Sequence, residues 1–134
     1  MKVTFDSRSI QYINLFNSLT RCSIIDFIDD SDELYFVVGE GQYGLAGGKN
    51  GVKVKKAERV FKKAIKVFEY SPKLESFVRN LVPEAQSIEI SNSEVVVRIK
   101  PSDRARVIGK GGKNVRIIKL FLERLFEIEN FKVK

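Results

Sequence analysis

The 134-residue chain contains no histidine, no tryptophan and only one cysteine and one methionine. Without histidine, Ser-His-Asp and Cys-His catalysis and His-ligated zinc are excluded. A single cysteine, Cys22, forms no internal disulfide and no Cys-rich metal knuckle. Flanked by Arg21 and by Ser23-Ile24-Ile25, its thiol is expected to be a buried structural group. No apolar run approaches the roughly 18 residues of a membrane span. The opening MKVTFDSRSI has no apolar h-region of a signal peptide, so a cytoplasmic protein without membrane contact is expected. No low-complexity tract or glycine- or serine-rich linker is present.

Positive charge is in excess. Lysine and arginine total 24 against 17 aspartate and glutamate, a net charge of +7 with a pI near 9.6. An acidic partner is implied, and nucleic acid is the commonest one. Hydrophobic residues at 43% suffice for a modest core, in one domain or two small ones.

The chain repeats itself. Ala46-Gly47-Gly48-Lys49-Asn50-Gly51-Val52-Lys53-Val54-Lys55 has a counterpart in Val107-Ile108-Gly109-Lys110-Gly111-Gly112-Lys113-Asn114-Val115-Arg116, 61 residues later. The same offset sets Val54, Ala57, Phe61 and Ala64 opposite Val115, Ile118, Leu122 and Leu125, the buried stripe of an amphipathic helix. A glycine loop and a core stripe sharing one offset indicate a duplication.

The flanks follow the same plan. In the first half, Ser7 to Leu19 has helical spacing. Cys22 to Ile28 and Leu34 to Val38 are β-rich runs across the polar turn Asp29 to Glu33. A short helix from Gln42 to Gly47, the glycine loop, a helix from Val52 and a strand from Ile65 to Tyr70 complete it. In the second half, Ser71-Pro72 reads as an N-cap with proline at the first helical position. That helix carries Leu74, Phe77, Val78 and Leu81. Strands at Ser87 to Ile90 and Val95 to Ile99 flank Ser91-Asn92-Ser93. Pro101-Ser102-Asp103 then caps a short helix through Val107, ahead of the second loop, a helix from Asn114 to about Phe126, and a strand through Val133. The predicted class is α+β, each half running α-β-β-α-loop-α-β, with domains at 1–70 and 71–134.

Charge concentrates where the glycines are. Lys49 to Lys66 holds eight basic residues and one acidic, Glu58; Arg98 to Lys119 holds eight and one, Asp103. One such run alone would read as a solvated helix face. Two, each spanning a glycine loop, point to a surface that tracks phosphates. In a Gly-x-x-Gly tetrad a β-carbon at either end would hold a backbone away, and the amides of the next helix favour anions.

The run Val107 to Arg116 resembles the signature of the KH domain, whose GXXG loop clamps about four nucleotides. The element order resembles the prokaryotic type, and two such domains in a short chain resemble the archaeal NusA-like transcription factors, from about Ser7 to Val133. The resemblance implies two tandem type II KH domains, each with helices packed on one face of a three-stranded sheet in an α/β sandwich-like layering. It implies binding of single-stranded RNA in transcription elongation, termination or antitermination by a monomer that is not an enzyme and needs no cofactor or metal. RNA polymerase would be a further partner. By carry-over the second site comprises Arg104, Arg106, Ile108, Gly109, Lys110, Gly111, Gly112, Lys113, Asn114 and Arg116, and the first Gly48, Lys49, Asn50, Gly51, Lys53 and Lys55. Ile108, Val115 and Ile118, with Val97 or Ile99, would lie near the second groove or belong to the core.

The first copy departs from the pattern. Gly47 stands where an isoleucine is usual, Lys53 replaces the asparagine seen at Asn114, and Gly44-Leu45-Ala46-Gly47 offers a rival tetrad. Other readings are weaker. Gly39 to Gly44 spells G-x-G-x-x-G after a strand, but no long helix or parallel βαβ unit follows. A Walker loop fails because Tyr43 and Arg104 occupy the required glycine positions. The Asp26 to Glu33 acidic run is better explained as a charged hairpin tip than as a Mg²⁺ site. Within RNA binding, a ribosomal or ribosome-biogenesis role is the alternative, as is a KH module that docks mainly to a protein.

Overall fold

The computed structural model describes residues 5–47 and 51–134. The described chain falls into two compact units that part at Ser71/Pro72.

In the first unit, α1 (Ser7–Thr20), β1 (Ile24–Asp29), β2 (Glu33–Val38), α2 (Tyr43–Gly47), α3 (Val52–Phe61) and β3 (Ala64–Glu69) follow one another. The sheet order is β1-β2-β3, antiparallel across the hairpin and parallel between β2 and β3. The parallel pair needs a crossover, which α2 and α3 supply. Leu34, Phe36 and Val38 of β2 form the core with Phe16 of α1, Ala46 of α2, Ala57 of α3 and Ile65 of β3. Phe16 stacks on Phe36 with ring centroids 4.0 Å apart. Cys22 is fully buried in this cluster, as expected of a structural thiol.

The first helix is delimited as its sequence dictates. Asp6 caps its N-terminus, accepting the Ser9 N–H at 2.8 Å, and Arg21 closes it at φ 66°. At the hairpin tip, Ser31 takes φ 63° and its N–H donates to Asp29 Oδ1, an acidic turn held by its own side chain.

The second unit repeats the plan with α4 (Leu74–Leu81), β4 (Ser87–Ser91), β5 (Glu94–Arg98), α5 (Pro101–Ile108), a 3₁₀ turn (Lys110–Gly112), α6 (Lys113–Phe126) and β6 (Asn130–Val133). Its sheet has the same order and senses, β4-β5 antiparallel and β5-β6 parallel. Val95 and Val97 of β5 are buried, as are Ile118, Phe121, Leu122 and Leu125 of α6.

Several boundaries differ from the sequence reading. Ser71 is buried and is not the cap of α4; Lys73 takes that position without a side-chain bond, and the Phe77 N–H donates to the Lys73 carbonyl. Pro101, by contrast, does stand in the first turn of α5, but the cap is Lys100 rather than Ser102 or Asp103. Ala64 is the exposed first residue of β3 rather than the end of the α3 stripe. The cause is length: α3 has 10 residues and α6 has 14, each closed by a left-handed residue at φ 58°, Lys62 and Glu127. α6 carries one extra helical turn, so the 61-residue offset ends there. Gly44 to Gly47 lie inside α2, which rules out the rival tetrad.

Candidate nucleic-acid interface

The second glycine loop is described in full. α5 ends at Gly109, whose φ of 79° and ψ of 167° belong to a region used almost only by glycine. Gly111 and Gly112 follow in the left-handed region, at φ 63° and 77°. A β-carbon on Gly109 would lie 2.8 Å from Asn114 Cγ. The Asn114 amide in turn donates to the Arg106 carbonyl at 3.0 Å, bracing the start of α6 against the end of α5. This glycine is required by close packing inside the loop. Gly111 and Gly112 have open space where a β-carbon would point, so backbone conformation alone selects them.

α6 opens from Gly112 with no side-chain cap, so the positive end of its dipole faces the loop. Lys110 is exposed within the loop, and Arg116 and Lys119 are exposed along α6. Lys113 and Asn114 are half-buried. An uncapped helix start beside an exposed cation is suited to an anionic oxygen.

Two of the expected cations are engaged elsewhere. Arg106 donates to Glu84 Oε2 at 3.3 Å and to Asp103 Oδ1 at 2.8 Å, and these bonds hold its guanidinium above its ordinary pKa. Arg104 donates to the Val133 carbonyl at 3.2 Å. Of the apolar candidates, Ile118, Val97 and Ile99 are buried core, whereas Ile108 and Val115 remain half-exposed beside the loop.

For the first loop, Gly48, Lys49 and Asn50 lie outside the described residues. Gly51 takes φ 70° and opens α3 without a side-chain cap, the same arrangement as Gly112 before α6. Lys53 is half-buried and Lys55 exposed. Beside them lies a cavity of about 650 Å³, lined by Gly44, Gly47 and Gly51, by Tyr43 and Phe68, and by Lys55, Glu58 and Lys66. Glu69 accepts the Tyr43 N–H at 3.0 Å, tying the start of α2 to the end of β3. Sequence reasoning missed Tyr43, Glu58, Lys66 and Phe68. Only β2–β3 pairing brings the strand residues beside α2 and α3, and no local spacing signals it.

The KH domain family model matches residues 73–134. Over 99% of the chain, 33% of residues are identical to the "Probable transcription termination protein NusA" of Methanococcus vannielii, of which the match covers 80%. The chain belongs to the archaeal NusA-like family. A protein of the same name from Thermoplasma acidophilum is 31% identical, across 99% of this chain and 96% of that one. The crystal structure of APE1850 superposes with a TM-score of 0.77 at 33% identity, covering 97% of this chain and all of that one. The mixed three-stranded sheets and paired helices are therefore KH folds of the prokaryotic type, as the resemblance implies. Among the described residues, no cluster of acidic or thiol side chains is arranged to hold a metal, and no helix is long and apolar enough to cross a membrane.

Proposed function

We propose that this chain is a binding protein for single-stranded RNA that acts in transcription, in elongation, termination or antitermination. The Gly109–Gly112 loop grips the RNA backbone, with Lys110, Lys113 and Arg116 as its cations and Ile108 and Val115 facing the bases. The Gly48–Gly51 loop, with Lys49, Asn50, Lys53 and Lys55, makes a second and weaker contact. Domains 1–70 and 71–134 each contribute one loop.

The observation that carries this reading is the second loop itself. Three glycines at positive φ place an exposed lysine at the uncapped start of a basic helix. Phosphate oxygens meet cations and helix N-termini in this way, and unpaired bases lie on adjacent apolar side chains. The names of the relatives supply the transcriptional setting.

Fluorescence-anisotropy titration of short labelled single-stranded RNAs tests the reading, with DNA and duplex RNA as controls. The variant for comparison is Lys110→Asp/Gly111→Asp. Aspartate tolerates the left-handed backbone of Gly111 better than most residues, and a melting curve checks that the variant is folded. Reversing one cation and adding a carboxylate should weaken binding by at least about tenfold. Equal affinity of the folded variant would remove the loop from the interface.

A further inference from the structure

The cavity of the first unit has a feature that clamping of a backbone does not use. Glu58 is the sole acidic residue between Lys49 and Lys66, yet it lines the cavity beside Lys55 and Lys66. Its Oε2 accepts the Ile65 N–H at 2.8 Å, which holds the half-buried carboxylate at the start of β3. Among the described residues, nothing donates to Oε1. A fixed anionic acceptor repels phosphate and attracts N–H donors.

The remaining lining fits a flat ring. Tyr43 is 57% exposed and borders a space left open by Gly44 and Gly47, whereas Phe68 shares the opposite sheet face with Lys66, whose ammonium lies by Glu33 and Tyr35. Aromatic faces of this kind take stacked bases. The second unit is built differently. The 61-residue offset replaces Tyr43 with Arg104 and Glu58 with Lys119, and strand register replaces Phe68 with Lys134. Among the described residues, a carboxylate and an exposed aromatic ring lining one cavity at these positions thus belong to the first unit.

We infer that this groove seats one unpaired guanine, read by Glu58 and stacked on Tyr43. The inference rests on the RNA-binding reading above and names the base at its weaker site. Guanine alone presents two adjacent donors, N1–H and the N2 amino group, on its Watson–Crick edge, where single-stranded bases are read. Uracil flanks its one N–H with carbonyl oxygens, which a carboxylate repels. Lys55 also borders an adjoining cavity with Arg59 and Lys62, so cations are at hand for the flanking phosphates.

The test uses the full chain and four RNA octamers, all-uridine or uridine with one central guanine, adenine or cytosine. Wild type should bind the guanine octamer about tenfold more tightly than the all-uridine one, the discrimination expected of a paired base contact. Glu58→Gln keeps the Ile65 bond through its carbonyl oxygen but turns a donor toward the base, so the guanine preference should vanish at an unchanged melting temperature. Tyr43→Ala, at an exposed position, should weaken the guanine octamer by about tenfold through lost stacking. Identical octamer rankings for wild type and Glu58→Gln would overturn the inference and leave RNA binding intact. Failure of wild type to bind any octamer would overturn the RNA-binding reading, and the inference with it.

Discussion

Asn114 and Gly109 occupy one another's space: the missing β-carbon of Gly109 would sit 2.8 Å from Asn114 Cγ, while Asn114 Nδ2 reaches past it to the Arg106 carbonyl. Sequence reasoning placed Asn114 among the RNA contacts. Its position makes it first a brace that locks the loop between two helices. In the first copy Lys53 takes this position and has no amide for the same bond.

Gly109→Ala should therefore destabilise the protein by roughly 1–3 kcal/mol, the cost of a side chain in a glycine-only backbone region. Asn114→Ala should cost about 1 kcal/mol through the lost hydrogen bond. Because Asn114→Ala also removes the two closest atoms, Cγ and Nδ2, and leaves only the backbone nitrogen at 3.0 Å, the double variant should lose less than the sum of the two. Urea denaturation of all four proteins measures this coupling, and strict additivity would show that the two residues do not act together.

The two loops should differ in weight. Lys49→Asp/Asn50→Asp should weaken RNA binding less than Lys110→Asp/Gly111→Asp, because the first copy lacks both the apolar residue before its loop and the bracing asparagine. Equal losses in anisotropy titrations would mean that the first site contributes as much as the second. Affinity should also fall with salt, at about −0.7 in log–log slope for each phosphate neutralised on a single strand. A flat dependence would remove the basic helices from the contact surface.

Arg106 illustrates a cation whose charge is already spoken for. Its guanidinium is shared by Glu84 and Asp103, so Arg106→Ala should reduce RNA affinity less than Lys110→Ala does. Glu84→Gln removes one of the competing carboxylates and should raise affinity by up to about threefold, the effect expected of one surface charge. Titration of the three variants against one RNA ranks them, and a larger loss for Arg106→Ala than for Lys110→Ala would contradict this order.

Asp6 should leave a pH signature on the first unit. Its hydrogen bond from Ser9 holds its pKa below the usual value of 3.8 in the folded protein. A group with a lowered folded pKa stabilises the fold above its unfolded pKa, and that contribution is lost as pH falls through the folded value. Asp6→Asn keeps a capping side chain but no titrating group. Melting curves between pH 6 and about pH 2.5 should show a smaller acid-induced loss for Asp6→Asn than for wild type. Parallel pH profiles would dissociate the Asp6 charge from stability.

How much was legible beforehand depended on how local the cause was. Glycine spacing, the stripe of Ile118, Leu122 and Leu125, and the polar hairpins are written in neighbouring residues, and each implies its element directly. The false cap at Ser71 shows the limit. Ser-Pro satisfies the local rule for a helix start, but Ser71 is buried and the helix begins two residues past Pro72. The extra turn of α6 was hidden for the same reason, since Ala64 continues the apolar period although α3 has already closed at Lys62.

The sequence by itself determined the duplication, the α+β order of each half, the two glycine loops and the basic character around them. Short-range periodicity and backbone freedom dictate these, and both are properties of adjacent residues. Tertiary structure alone decided which charges are committed, as with Arg106 held by Glu84 from 22 residues away. It also decided that Tyr43, Glu58 and Phe68 line one cavity, because parallel pairing of β3 with β2 returns the chain beside α2 and α3. Side chains brought together through space obey distance and direction, and neither is encoded in their separation along the chain.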